Sequence, residues 1–166
     1  GAMSRTRLHR REFLKSLVPA AAAVKSVSVR KLFGAGPQPG LADKGLPTET
    51  LGKTGVKVPR IGLGLGSRFC AVADEDRALE ILDTALGHGF YYWDTAYNYR
   101  NGDIISEERL GKVLKTRRKE VFLATKFEAR TYDGVMRQLE ESLKRLRTDR
   151  LDLYQVHLIE SLEDLD

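Results

Sequence analysis

Short apolar stretches alternate with helical patterns from residue 61 to the end of the chain, and this alternation restricts the folds that the sequence can adopt. Each of the first three stretches with strand character is followed by apolar side chains at helical spacing, and the stretches recur at intervals of about thirty residues. Consecutive units of this kind form right-handed crossovers between parallel strands, so the sequence predicts an α/β fold with a parallel sheet. We predict strands over 61–66, 90–94, 121–126 and 151–158, separated by helices over 74–86, 106–115 and 133–147.

Polar residues at the ends of the predicted strands distinguish between two arrangements of such a sheet. The alternation alone fits both a doubly wound sheet and a (β/α)8 barrel. Asp94, Lys126 and His157 end successive strands, and the active sites of (β/α)8 barrels form at that end. A charged side chain in a buried strand end is costly unless it is paired, and an Asp and a Lys from neighbouring strands can pair. We therefore predict a (β/α)8 TIM barrel of which about the first four strand–helix units are present.

An N-terminal β-hairpin is predicted ahead of the first barrel strand. Residues 48–51 and 56–58 are short extended stretches on either side of Gly52-Lys53-Thr54-Gly55. Two glycines in a four-residue connection are typical of a hairpin turn.

The positive charge of the chain is concentrated near its N-terminus. The net charge is +5, and residues 1–45 contain nine of the 28 Lys and Arg residues but two of the 23 Asp and Glu residues. Residues 46–166 therefore carry 19 basic and 21 acidic residues, which argues against nucleic-acid binding by the predicted domain. Cys70 is the only cysteine, so the sequence has no disulfide framework and no cysteine-based metal site, and we predict no bound metal.

Residues 1–33 combine a tag remnant with a segment that is similar to a twin-arginine export signal. Gly1-Ala2 ahead of Met3 resembles the remainder of an expression tag. The paired arginines of the sequence RREFLK, residues 10–15, precede a weakly apolar, alanine-rich run, as in such signals. These features predict recognition by the twin-arginine export machinery and a periplasmic or cell-envelope location. The alternative is a basic amphipathic or disordered tail on a cytoplasmic protein.

A flexible linker is predicted between this segment and the domain. Residues 34–45 are rich in Gly and Pro and contain too few apolar side chains to fold alone. The domain is therefore expected to span residues 46–166.

Five sequence blocks in the same order resemble the aldo-keto reductase family. They are residues 51–64 (the opening hairpin and first strand), Asp94-Thr95-Ala96-Tyr97-Asn98-Tyr99, Ser106-Glu107 with Leu110-Gly111, Val121-Phe122-Leu123-Ala124-Thr125-Lys126, and Asp152-Leu153-Tyr154-Gln155-Val156-His157. The resemblance extends from about Leu46 to the last residue. It implies the first half of a barrel that reduces an aldehyde or ketone, a small-molecule carbonyl substrate, with NAD(P)H.

The resemblance also implies a role for each site residue. Tyr99 would donate a proton to the carbonyl oxygen as hydride reaches the carbon. The ammonium of Lys126, held by Asp94, would stabilise the phenolate, and His157 would orient the carbonyl oxygen. The family favours NADPH over NADH as the cofactor. Cofactor binding would involve Asp94 and residues of the glycine-rich strand end. Because this strand end has an extra glycine, the residue that contacts the nicotinamide could be any of four: Gly64, Leu65, Gly66 or Ser67.

Two other functions remain open at this point. A non-catalytic, nucleotide-binding regulatory subunit would keep the fold without turnover. An inactive truncated fragment is the second alternative, because family members grip the nicotinamide and the adenosine phosphate with later loops. Such a half-barrel is expected to bind NADPH weakly or not at all, and to self-associate through its unpaired strand edges.

Overall fold

The computed structural model describes residues 46–161, and the predicted export signal (1–33) and linker (34–45) lie outside the described residues. No helix within the described range is both long and apolar enough to cross a membrane. The strands are β1 Thr48–Thr50, β2 Lys57–Pro59, β3 Leu63–Gly64, β4 Tyr92–Asp94, β5 Arg100–Asn101, β6 Ile104–Ile105, β7 Phe122–Phe127 and β8 Leu153–Val156. The helices are α1 Ser67–Cys70, α2 Glu75–Gly87, α3 Ser106–Arg117 and α4 Tyr132–Leu146, and a 3-10 turn covers Arg118–Glu120.

The predicted N-terminal hairpin is confirmed. Strands β1 and β2 pair antiparallel, with Thr48 opposite Pro59. Gly55, in the turn, has a φ of +76°, a conformation that L-residues with a side chain rarely adopt.

The order of the strands in the main sheet separates the two predicted arrangements. Strands β3, β4, β7 and β8 are parallel and adjacent in chain order. A doubly wound sheet reverses direction at a switch point, whereas a barrel adds each new strand on the same side. The sheet therefore has the sequential order of the first half of a (β/α)8 barrel, as predicted.

The helices begin and end at residues that the sequence favours for these positions. Asp74 caps α2 by accepting a hydrogen bond from the backbone N–H of Arg77 at 2.8 Å, and Thr131 caps α4 in the same way. Helices α3 and α4 pack closely where α3 carries Gly111, since a Cβ there would lie 2.2 Å from the carbonyl oxygen of Arg145. The core between the helices and the sheet contains Trp93, Leu82, Leu110, Leu123 and Leu146, all fully buried.

The structure differs from the prediction in the connections after β3 and β4. The strand predicted over 61–66 is reduced to β3, and the chain turns into the single-turn helix α1 directly after Gly66. The loop after Tyr99 forms a small antiparallel hairpin, β5–β6, with Gly102 at a φ of +56°. Neither short element has enough residues to show a periodic pattern in the sequence.

Both outer strands of the described sheet have an open edge. Among residues 46–161, β3 pairs only with β4, and β8 pairs only with β7. Large apolar side chains near these edges are exposed: Ile61, Val156, Leu158 and Ile159. Self-association through these edges remains a prediction.

Candidate active site

The ammonium of Lys126 and the carboxylate of Asp94 form a close ion pair at the carboxyl ends of β7 and β4. The Nζ atom of Lys126 lies 2.6 Å from Oδ2 of Asp94 and also donates to the carbonyl oxygen of Thr95 at 2.8 Å. The Lys126 side chain is 13% exposed and that of Asp94 is 32% exposed. Partial removal from water strengthens the attraction between the two charges, so the pair holds the ammonium at this rim of the sheet.

Tyr99 lies on the loop that follows β4, on the same side of the sheet as Lys126. The Nζ atom of Lys126 is 4.9 Å from the centroid of the Tyr99 ring. Two backbone hydrogen bonds fix the loop: the N–H of Tyr99 donates to Ala96 at 3.1 Å, and the N–H of Ser106 donates to Tyr99 at 2.9 Å. The half-buried ring lies against Gly66, where a Cβ would be 3.3 Å from the Tyr99 Cε2 atom.

His157 completes the cluster from the end of β8. Its backbone N–H donates to the carbonyl oxygen of Phe127 at 2.7 Å, which continues the pairing between β7 and β8. The His157 ring lies edge-on to Tyr99, with centroids 5.5 Å apart and planes at 79°. Burial lowers the pKa of His157 below its ordinary value of 6.5, and the nearby charge of Lys126 lowers it further. The structure therefore brings together the side chains of Asp94, Tyr99, Lys126 and His157.

The glycine-rich strand end lies directly beside this cluster. Gly64 is opposite Asp94 in the parallel register of β3 and β4, is exposed, and has no atom within 4 Å of a Cβ built on it. The Leu65 side chain is 1% exposed. Its N–H donates to the backbone carbonyl oxygen of Asp94 at 2.8 Å, and its own carbonyl oxygen accepts from Ser106 Oγ at 2.6 Å. Leu65 therefore has its side chain in the core and both backbone polar atoms engaged within the protein. Ser67, the last of the four positions, is exposed.

Ser106 is a functional-site residue whose role the sequence pattern did not reveal. Its fully buried hydroxyl donates to Leu65 and lies 2.8 Å from Oγ1 of Thr95. Through these contacts and its N–H bond to Tyr99, Ser106 connects the ends of β3 and β4 with the Tyr99 loop. Ser106 stands in a block that resembles a known family, but its contact with Leu65 spans 41 positions and has no local sequence signal.

Glu107, the next residue, is a fully buried carboxylate behind the site. It accepts a hydrogen bond from Thr125 Oγ1 at 2.7 Å and lies 3.4 Å from Nη1 of Arg145. Burial raises the pKa of Glu107, although the hydrogen bonds and the charge of Arg145 oppose this effect. Arg145 also donates to the carbonyl oxygen of Tyr97 at 3.1 Å, so this network supports both the Tyr99 loop and the strand that carries Lys126.

Residues 115–119 form a basic run, and one of its members, Arg118, is buried in an ion pair. The guanidinium of Arg118 lies 2.7 Å from Oδ2 of Asp152, and both side chains are at most 10% exposed. Arg118 also donates to the carbonyl oxygens of Val121 and Arg150. A cavity of about 700 Å³ next to Arg118 is lined by residues of α3 and α4 and the turns after them; it contains none of the four clustered side chains.

Comparison with known proteins gives a family match over most of the described residues. Residues 60–165 match the model of the aldo/keto reductase family. The chain is 37% identical over 123 residues to the aldo-keto reductase YhdN of Bacillus subtilis, which covers 65% of this chain and 37% of that protein. It is 36% identical over 107 residues to the glycerol 2-dehydrogenase (NADP(+)) of Saccharomyces cerevisiae, covering 63% of this chain and 31% of the relative. The chain therefore spans less than half the length of these curated relatives.

Solved structures show the same similarity. An aldo-keto reductase from Bacillus halodurans, in its holo form, matches with a TM-score of 0.59 and 32% identity over 72% of this chain and 43% of that one. An aldo-keto reductase from Klebsiella pneumoniae in complex with NADPH matches with a TM-score of 0.57 and 31% identity, over 64% of this chain and 38% of the other.

Proposed function

The chain belongs to the aldo/keto reductase family, and from this we propose that it is part of an NADPH-dependent oxidoreductase that reduces an aldehyde or ketone by hydride transfer. The family membership supports carbonyl chemistry in general. The assignment of Tyr99 as the proton donor, of NADPH as the cofactor and of a small-molecule carbonyl as the substrate is the proposal.

The observation that carries the proposal is the position of one ammonium group beside one phenol. Lys126 is paired with Asp94 at 2.6 Å and lies 4.9 Å from the centroid of the Tyr99 ring. A phenol in water holds its proton too tightly to be a good acid at neutral pH. A nearby positive charge stabilises the phenolate that remains after proton donation, and Asp94 keeps that charge in place.

The residues at the end of β3 fit a cofactor with a flat ring. Gly64 is exposed, has open space where a side chain would be, and is the register partner of Asp94. A backbone without a side chain allows a ring to approach closely. Asp94 and the backbone of Gly64 and Gly66 would hold the nicotinamide end, and bound NADPH would supply the hydride. The complex of the related Klebsiella protein with NADPH supports this choice of cofactor.

The proton step is assigned to Tyr99 and its neighbours. The hydroxyl of Tyr99 donates its proton to the substrate oxygen, and Lys126 stabilises the negative charge that develops on the phenol oxygen. His157, edge-on to Tyr99 at 5.5 Å, positions the substrate oxygen. The Ser106 contacts hold the Tyr99 loop against the strand ends, so that these groups keep their spacing.

Replacement of Tyr99 by Phe tests the proposal. Carbonyl-dependent oxidation of NADPH is followed by absorbance, and NADPH binding is followed by fluorescence. We expect Tyr99→Phe to lose turnover by about a hundredfold or more while NADPH binding is retained. Tyr92→Phe, which removes a hydroxyl from β4 on a ring that packs against Phe122, is the matched control and should keep its turnover.

The same measurements separate the alternatives. Full turnover by the Tyr99→Phe variant would contradict the assignment of the proton donor. NADPH binding without turnover by the unaltered chain would favour a regulatory subunit. Absence of both would favour an inactive segment.

A further inference from the structure

A carboxylate that the proposed mechanism does not use lies between the Tyr99 loop and His157. Oε1 of Glu128 accepts a hydrogen bond from Nδ2 of Asn98 at 2.5 Å and lies 4.0 Å from Nδ1 of His157. The backbone N–H of Glu128 donates to the side chain of Gln138 at 3.0 Å. Gln138 of α4 therefore holds the backbone of Glu128, and Asn98 holds its carboxylate, whose Oε1 atom is 4.0 Å from the His157 ring nitrogen.

The ring nitrogen that faces Glu128 needs a partner. Nδ1 of His157 is buried and has no hydrogen-bond partner among the residues that the structure describes. A buried nitrogen without a partner is costly, and the Glu128 carboxylate is the acceptor next to it. The distance of 4.0 Å between Nδ1 and Oε1 is longer than a hydrogen bond, and site hydrogen bonds commonly tighten when ligands bind.

We propose that Glu128 is a positioning residue that keeps the proton of neutral His157 on Nδ1 and leaves Nε2 as a hydrogen-bond acceptor. The hydrogen bond made by one ring nitrogen decides which nitrogen carries the proton. A histidine free in water favours the opposite tautomer, with the proton on Nε2, so the carboxylate reverses the intrinsic preference.

For the proposed function, on which this consequence rests, the tautomer changes what His157 does to the substrate. With Nδ1–H directed at Glu128, the opposite nitrogen, Nε2, accepts a hydrogen bond from a hydroxyl when the ring is neutral. Nε2 donates to a carbonyl oxygen only when the ring is protonated, since both nitrogens then carry protons. His157 should therefore position the carbonyl oxygen in its protonated form, and carbonyl reduction should gain from protonation of His157.

Some of the charges around the His157 ring lower its pKa, and others raise it. Burial and the charge of Lys126 lower the pKa of His157. Arg130, whose guanidinium donates to the carbonyl oxygen of His157 at 2.9 Å, acts in the same direction as Lys126, whereas Glu128 and Asp94 raise the pKa. Removal of the Glu128 charge alone should thus lower the pKa of His157 further.

The test is the tautomer of His157 in the full chain, read from two-bond ¹H–¹⁵N correlation spectra at a pH where the ring is neutral. The chain contains three histidines, His9, His88 and His157, and a His157→Gln spectrum identifies the signals of His157. We expect Nδ1–H in the unaltered chain and a shift to Nε2–H in Glu128→Ala. Glu128→Gln, which keeps an acceptor oxygen, should retain much of the Nδ1–H form while the pKa of His157 falls. Glu140→Ala, which removes an exposed carboxylate on α4, is the control and should change neither the tautomer nor the pKa of His157.

Nε2–H as the main tautomer of the unaltered chain, or an unchanged tautomer in folded Glu128→Ala, would overturn the inference. The spectra do not depend on turnover, so they distinguish its failure from a failure of the proposed function. Where turnover is present, the value of kcat/KM for reduction should fall by about tenfold as His157 loses its proton and with it the hydrogen bond to the substrate oxygen. This pH dependence should be weaker in Glu128→Ala, because the neutral ring can then donate from Nε2.

Discussion

The ammonium of Lys126 lies 4.9 Å from the centroid of the Tyr99 ring, although the two residues belong to different strand–loop units. This arrangement depends on the parallel pairing of β4 with β7, which places both carboxyl ends at the same rim. The ammonium is held in that position by Asp94 and by the carbonyl oxygen of Thr95. The order of the strands therefore determines the position of the ammonium that the proposed chemistry requires.

Asp94→Asn should weaken the hold on Lys126 and reduce kcat by about a hundredfold. The amide keeps the shape of the side chain but removes the negative charge that attracts the ammonium. Steady-state kinetics with a simple aldehyde measure the effect. Glu49→Gln, in a pair with Arg60 whose side chains are more than 60% exposed, is the control, and an equal loss of kcat in both variants would count against a specific role for Asp94.

Gly66→Ala should displace the Tyr99 ring. The added Cβ would lie 3.3 Å from Cε2 of Tyr99, so the ring must move by a few tenths of an ångström, and a small misplacement of a reacting group is expected to reduce kcat roughly tenfold. Gly87→Ala, at the end of α2 with no atom within 4 Å of its Cβ, is the matched control. Unchanged kcat in Gly66→Ala would indicate that the position of the Tyr99 ring does not limit turnover.

The polar strand ends could be predicted from the sequence because each is a local exception in an apolar stretch. Asp94 and Lys126 end stretches of mostly apolar residues, and the sheet order then brings them together. The family resemblance added Tyr99, whose place on a loop has no periodic signal. The predicted helices differ from the observed ones by one or two residues at their ends, since apolar spacing and capping residues determine both.

The long-range contacts that stabilise the site and the rest of the fold could not be predicted in the same way. Ser106 meets Leu65 across 41 positions, and Arg118 meets Asp152 across 34. A run of basic residues is usually solvated, and no property of the run 115–119 indicates that Arg118 pairs with a carboxylate just before β8. Such partners follow from the packed fold and not from local pattern.

Asp152→Ala should destabilise the fold strongly. Oδ2 of Asp152 accepts from Arg118 at 2.7 Å and from the N–H of Leu123 at 2.8 Å, and both charged side chains are at most 10% exposed. Removal of the carboxylate leaves a buried guanidinium without its counter-charge, which costs about 3 to 5 kcal/mol in the free energy of unfolding. Asp83→Ala, which removes a pair whose carboxylate is 56% exposed, should cost less than about 1 kcal/mol. Urea unfolding compares the two variants. Similar losses in the free energy of unfolding would contradict the argument that the pair of Arg118 and Asp152 matters because it is buried.

Residues 3–45 are proposed to direct export by the twin-arginine route. A fusion of this segment to a folded reporter should reach the periplasm of a bacterial host. Replacement of Arg10 and Arg11 by Lys should keep the reporter in the cytoplasm, because the paired arginines are the feature recognised in such signals. The proposal is abandoned if the unaltered fusion stays in the cytoplasm, or if export is insensitive to the double replacement.

The lowered pKa of His157 predicts a specific dependence of stability on pH. Burial disfavours the charged ring in the folded state, so between the lowered value and pH 6.5 the unfolded chain binds more protons than the folded chain does. The free energy of unfolding should therefore decrease as the pH falls through this interval, and His157→Gln should remove that part of the decrease. Urea unfolding at several pH values in this interval measures the free energy of unfolding. His88→Gln, at an exposed position after α2, is the control. Equal pH dependence in the unaltered chain and in His157→Gln would show that the buried ring does not titrate as its surroundings predict.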